Sequence, residues 1–205
     1  MYELVIGLEI HLKLNSTTKL FCGCKNIQEF DDLSPNTYIC PVCTGQPGAL
    51  PVLQQSALEI ALRLGKILNC QIQEQSSFDR KSYFYPDLPS GYQITQFFKP
   101  TMIEGTFSCF TDNEFTISKD IGIRDAHMEI DTAKTSREGD EVLIDRNRSG
   151  TPLVEIVTEP DFRSADEVIG FLKELQKSCQ WNEVSDAQLE AGQMRCDVNI
   201  SIRPI

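Results

Sequence analysis

No apolar run in this 205-residue chain is long enough to span a bilayer. The N-terminus shows neither a secretory signal nor an Arg-rich, acid-poor presequence. The first absence excludes a helical membrane protein and makes no membrane partner the expectation. The second points to a cytoplasmic (bacterial) setting, with an organelle matrix as the other option, where cysteines are reduced or metal-bound rather than paired as disulfides. Basic residues are few: 19 Lys and Arg face 30 Asp and Glu, for a net charge of -11. That balance argues against a generic nucleic-acid binder, which needs a cationic face for phosphate. No G-x-x-x-x-G-K-[ST], G-x-G-x-x-G or G-x-S-x-G occurs, so any nucleotide binds without a P-loop or Rossmann fingerprint, and serine-hydrolase chemistry has no support. No internal repeat or low-complexity linker divides the chain. Histidine occurs only twice, at positions 11 and 127.

Cysteine, by contrast, occurs eight times. Cys22 and Cys24 form a C-x-C pair and Cys40 and Cys43 a C-P-x-C pair, a spacing that can close a tetrahedral thiolate cage around zinc within a loop at 20–48. Cys70, Cys109, Cys179 and Cys196 are scattered and read as ordinary small apolar residues.

Several segments alternate strictly. From Leu4 to Leu14 every even position is apolar, while Gly7, Glu9, His11 and Lys13 occupy odd ones. Ala126, Met128 and Ile130 alternate with Asp125, His127, Glu129 and Asp131. Cys196, Val198, Ile200 and Ile202 alternate with Arg195, Asp197, Asn199, Ser201 and Arg203. Leu153 to Val157 is a shorter, more apolar strand carrying Glu155. Strands with one apolar and one polar face suit an antiparallel sheet. Two helices are expected on the dry face: about Gln54 to Leu68, with a stripe of Leu58, Ala61, Leu62, Gly65 and Leu68, and one beginning at Ser164 with a Ser164–Glu167 capping box and continuing through Val168, Leu172 and Leu175. The expectation is one α+β domain over 1–205 with a zinc loop inserted after the first strand.

On the polar face, Glu9 with His11 and His127 with Glu129 repeat one spacing. Carboxylates converging with imidazole make a hard site for Mg2+ or Mn2+ bridging phosphate oxygens, although such pairs also occur on plain solvated faces. The segment FDRKSYFYPDLPSGYQITQ, residues 78–96, is too rich in aromatics and turn residues for a simple strand. It reads either as an ordered loop on the sheet or as a place where Arg80 and Lys81 meet phosphate and an aromatic meets a base.

The strings VIGLEIHLKLN, FCGC, PNTYICPVCTGQPGALPVLQQSALEIAL, FDRKSYFYPDLPSGYQITQ, DRNRSGTPLVEIVTEPDFRS and MRCDVNISIRP together resemble, end to end and in order, the B-subunit family of the GatCAB tRNA-dependent amidotransferases. They are more distantly similar to its archaeal E-subunit paralogue. The resemblance implies a cradle of the glutamine synthetase/guanido kinase type. It also implies ATP- and Mg2+-dependent phosphorylation of the side-chain carboxylate of Glu or Asp on tRNA(Gln) or tRNA(Asn), followed by amidation with ammonia. The implied partners are an amidase-type A subunit, a small C subunit and the mischarged tRNA. Carried onto this chain, Glu9, His11, Glu129 and Glu190 match the family's catalytic and magnesium positions, and Cys22, Cys24, Cys40 and Cys43 its zinc positions. Arg80, Lys81 and Tyr83 fall in a loop assigned to nucleotide or substrate, with Asn147, Arg148 and Arg195 as further candidates. Ile130 and Ala191 stand where the family has second glutamates, and Thr132 and Ala133 replace Ala-Gly. The family's C-terminal helical and tail domains, which grip tRNA, are expected to be absent from a chain ending at Ile205. Two function classes follow: a catalytic amidotransferase subunit, or a truncated or diverged non-catalytic relative keeping the fold and partner surface. A free-standing zinc-dependent nucleic-acid module is disfavoured by the charge.

Overall fold

In the first strand, β1 (Tyr2–Lys13), Ile6, Leu8, Ile10 and Leu12 pack inward as their period of two requires, whereas Leu4, expected on the same apolar face, is 42% exposed. The computed structural model describes residues 1–28, 33–110 and 116–205. Around β1 runs a six-stranded sheet with β2 (Gln71–Ile72), β5 (Met102–Phe110), β6 (Ser118–Ile130), β9 (Pro152–Thr158) and β10 (Met194–Pro204), in the order β10-β1-β9-β6-β5-β2. Every neighbouring pair is antiparallel. Two hairpins stand outside it, β3 (Asp79–Ser82) with β4 (Tyr92–Thr95) and β7 (Lys134–Glu138) with β8 (Glu141–Asp145). The α+β class and the antiparallel sheet are as the alternation indicates.

Two helices, α1 (Gln55–Ile67) and α2 (Ala165–Trp181), contribute to one apolar core with the sheet. In α1 the buried stripe is Ala57, Ala61, Leu64 and Gly65, continuing to Leu68; Leu58 and Leu62, expected on it, are only half-buried. The stripe's centre is thus rotated toward small residues, which let the helix sit close: a Cβ on Gly65 would meet Met102 Sδ at 2.6 Å. In α2, Phe171 stacks edge-on against both Phe107 and Phe162, at 5.3 Å each. Ser164 caps the helix by accepting the Glu167 amide, but the Glu167 carboxylate accepts from the Arg163 N–H and Lys119 rather than from Ser164 itself. The expected capping box is therefore half formed, the lysine and the preceding amide having displaced its reciprocal bond. Cys109 and Cys179 are core residues, and Cys70 and Cys196 pack half-buried against the core.

Sequence alternation over-predicts burial in β10. Val198, Ile200 and Ile202 pair with Leu8, Ile6 and Leu4, yet are 48%, 63% and 63% exposed, because neither helix reaches this edge. The 78–96 segment is neither plain strand nor plain loop. Its ends form β3 and β4, and β4 lies along β6 through side-chain amides: Gln93 donates to the Ile130 carbonyl and Gln96 accepts from the Met128 amide.

One irregularity positions the polar face. Ile123 pairs with Thr158 and Asp125 with Val157, so β6 carries an extra residue, Arg124. This bulge reverses the alternation, as bulges do. Ile121 and Ile123 enter the core before it and Ala126 and Met128 after it, and Asp125, His127 and Glu129 take the opposite face.

Candidate metal centre

Strand register places Arg195, His11, Glu155 and His127 in one row across β10, β1, β9 and β6. Glu129 lies two residues along β6 on the same face. His11 Nε2 is 3.4 Å from Glu129 Oε1 and 3.4 Å from Glu155 Oε2, and His127 Nε2 reaches that same Glu155 oxygen at 3.4 Å. His127 Nδ1 bonds Asp125 Oδ1 at 2.8 Å. One ligand atom from each of His11, Glu129 and Glu155 lies within 4.8 Å of the others.

The electrostatics mark this as an unbalanced site. Burial raises Glu129 above the ordinary carboxylate range, against the charges of His11, His127 and Lys81. Its Oε1 is buried and receives no hydrogen bond, although an oxygen in that position normally has a partner. Burial pushes Glu155 up as well, but contacts from His11 and His127 outweigh it and hold Glu155 well below its usual value. The Glu155 contact raises His11 against burial, with Glu129 adding to it and Arg195 opposing. Burial lowers His127, yet Asp125 and Glu155 carry it up to about 9. One imidazole and two carboxylates, one with a buried oxygen that receives no hydrogen bond, suit a hard divalent cation.

The expected site residues divide. His11 and Glu129 converge. Glu9 shares their face but sits one row away, opposite Asp197 and Val157, with Asn199 Nδ2 at 3.5 Å. Glu190 is exposed in the turn before β10, outside the cluster. Ala191 lies in the same turn, whereas Ile130 on β6 packs against the core and leaves the polar face to its neighbours. Lys81 on β3 is near enough to act on Glu129. Arg80 lies over the Tyr92 ring at 5.5 Å. Burial raises Tyr83, and the negative charges of Asp87, Glu129 and Asp131 add to it. Arg195 and Arg148 flank Asp131 Oδ2 at 3.1 and 3.5 Å, and Arg148 also donates to the Thr132 and Ala133 carbonyls. Asn147 is buried: its Oδ1 accepts from the Thr37 and Tyr38 amides and its Nδ2 donates to the Ser34 carbonyl. Its side chain clamps the cysteine loop.

Glu155, in sequence, is only a charge on a short strand. Its one signal is being the single ionised residue in an otherwise apolar run, Pro152 to Val157. Its role depends on β9 lying between β1 and β6, an order that alternation does not encode.

The second cluster is the cysteine loop, of which residues 29–32 lie outside those described. Cys22, Cys24, Cys40 and Cys43 bring four sulfurs within 4.8 Å of one another, compatible with a structural zinc. Cys43 Sγ receives the Cys40 amide at 3.2 Å and Lys19 Nζ at 3.4 Å. The Cys22 hydrogen bond, with Lys19 beside it, holds the Cys43 thiol down at about 4 despite burial. Between this loop, the 88–90 turn and Ile130–Asp131 lies a cavity of ≈ 270 Å³.

An antiparallel sheet thus presents imidazole and carboxylates from three adjacent strands beside a four-cysteine loop, two clusters that each have the ligand types to hold a metal ion. A family model described as the GatB/GatE catalytic domain matches residues 4–205, and the chain belongs to that family. Relatives named as B subunits of aspartyl/glutamyl-tRNA(Asn/Gln) amidotransferase are similar along its whole length. The protein of Symbiobacterium thermophilum is 51% identical over 209 residues, covering 99% of this chain and 42% of the relative. That of Elusimicrobium minutum is 50% identical, covering 99% and 41%, and that of Campylobacter curvus 48% identical, covering 100% and 42%. The chain thus spans about two-fifths of the length of these relatives. Among the described residues no helix is long and apolar enough to cross a membrane.

Proposed function

We propose that this domain is the carboxylate-activating part of a tRNA-dependent amidotransferase, acting in a heterotrimer with an amidase-type A subunit and a small C subunit in a bacterial cytoplasm. In the proposed reaction, a side-chain carboxylate oxygen of Glu-tRNA(Gln) or Asp-tRNA(Asn) attacks the terminal phosphorus of ATP and ADP leaves. Ammonia from the partner then attacks the acyl phosphate, inorganic phosphate leaves, and the surplus proton passes to solvent or a nearby base. A carboxylate is a poor acyl donor until its oxygen can leave as phosphate.

The observation that carries this reading is the His11–Glu129–Glu155 cluster, in which the buried Glu129 Oε1 receives no hydrogen bond and has only the ion-pair contact with His11. These three residues would hold Mg2+, which when bound supplies charge neutralisation at phosphate oxygens. Lys81 and Arg195, at the edges of the cluster, would bind and orient the phosphates, with Arg80 and Tyr83 shaping the nucleotide's approach. Asp131 restrains the Arg195 guanidinium so that its donors stay at the site. His127 and Asp125 hold Glu155 in place. Glu9, one row off, and the exposed Glu190 would contact substrate rather than the ion. The polar face of the sheet forms the proposed cradle, and Cys22, Cys24, Cys40 and Cys43 would hold a structural zinc that shapes one wall.

Calorimetric titration of Mg-ATP into the folded chain and its Glu129→Gln variant tests the proposal. Binding by the parent that is lost in the variant is the expected result. Equal binding by both would remove the cluster from the nucleotide site.

A further inference from the structure

Lys19 follows β1 and precedes the first cysteine pair, and its side chain is 0% exposed. A buried ammonium without a partner charge is costly, so lysines this deep are paired. No carboxylate among the described residues lies within ion-pair distance of Lys19. Its Nζ contacts the Tyr38 carbonyl at 2.9 Å, the Arg146 carbonyl at 3.3 Å and Cys43 Sγ at 3.4 Å. The anionic partner it is built to meet is thus the cysteine cage. The need is reciprocal: a divalent zinc with four thiolates is a net dianion, and closing it into a half-buried loop is unfavourable unless a positive charge accompanies it.

We propose that Lys19 is the internal counter-cation of the four-thiolate site. It donates to Cys43, reduces the net negative charge of the loaded cage from two to one, and ties the cage to the 146–150 turn. That turn is joined to the same wall independently. Ser149 Oγ donates to the Cys43 carbonyl at 2.9 Å and the Leu20 amide donates to the Gly150 carbonyl at 2.9 Å. From there Arg148 reaches the 131–133 corner beside Glu129. Lys19 is therefore a positioning residue for the ion, and through the turn for the Arg148–Asp131 corner. The inference rests on reading the four cysteines as a zinc site.

The test is competition for zinc between the reduced 205-residue chain and a chromophoric chelator. Lys19→Met keeps the stem and removes the charge. Lys19→Arg keeps the charge and has the neighbouring cavity to extend into. Lys19→Met is expected to surrender zinc at least about tenfold more readily than the parent, and Lys19→Arg to stay within about threefold of it. Unchanged zinc affinity in a folded Lys19→Met would overturn the inference while leaving the zinc site standing. A parent that takes up no zinc with its thiols reduced would overturn both. If Lys19→Met does not fold, Lys19→Gln, neutral but still a donor, takes its place. A Gln variant as tight as Arg would show that charge is not what Lys19 contributes.

Discussion

His11 and His127 stand on strands separated by β9, and both aim Nε2 at one oxygen of Glu155, each at 3.4 Å. The second imidazole cannot swing away, because Asp125 holds its other nitrogen at 2.8 Å. A carboxylate fixed from both sides is already oriented before any ion arrives, and such support is what sets ligand geometry in metal sites.

His127→Asn should therefore weaken divalent binding by about tenfold without touching the ion itself. Electron paramagnetic resonance of Mn2+ in the presence of the folded variant checks this. An affinity equal to that of the parent would make His127 a bystander.

Asn147 bonds the 34–38 segment at three points, each within 2.9 Å. At about 1 kcal/mol for each neutral hydrogen bond, Asn147→Ala should cost about 2–3 kcal/mol in urea unfolding. It should also speed amide exchange at Thr37 and Tyr38. A loss confined to nucleotide binding, with stability unchanged, would instead return Asn147 to the nucleotide role that the family resemblance implies.

Phe171 fills the space between Phe107 and Phe162 and is fully buried. Its truncation in Phe171→Ala should cost about 3–5 kcal/mol. Chemical denaturation measures it, and a cost below about 1 kcal/mol would mean that the helix–sheet core re-collapses around the gap.

Burial raises Glu167, but the Lys119 ammonium and the Arg163 amide outweigh it and leave its value lowered. Its unfolded-state value is the higher one, so the stabilisation is present above about 4.5 and is lost as pH falls through the lowered folded-state value. Thermal unfolding followed from pH 7 downward should show a shallower acid decline in Glu167→Gln than in the parent. Parallel curves would remove this pair from the acid response.

Period-two alternation makes β1, β10 and the second half of β6 legible, because one side of each strand differs chemically from the other, while β9 is legible only as a short apolar run. It cannot reveal the bulge at Arg124, which is a register event between strands, nor the lateral order of the sheet. Glu155 is consequently visible in the sequence without a role. Glu9 is drawn to the site by sharing a face with His11, although face and row are different coordinates. The cysteine cage is legible because close spacing within one loop already limits where four sulfurs can go. Lys19 is not, since nothing local distinguishes a buried lysine from a solvated one.

His11, Glu129 and Glu155 are the proposed divalent site. Mn2+ titration followed by paramagnetic resonance, with the zinc loop kept loaded, tests it most directly on the parent, Glu155→Ala and Glu190→Ala. One Mn2+ bound by the parent and by Glu190→Ala, and lost in a folded Glu155→Ala, is the predicted result. Binding that survives in Glu155→Ala and disappears in Glu190→Ala would contradict it.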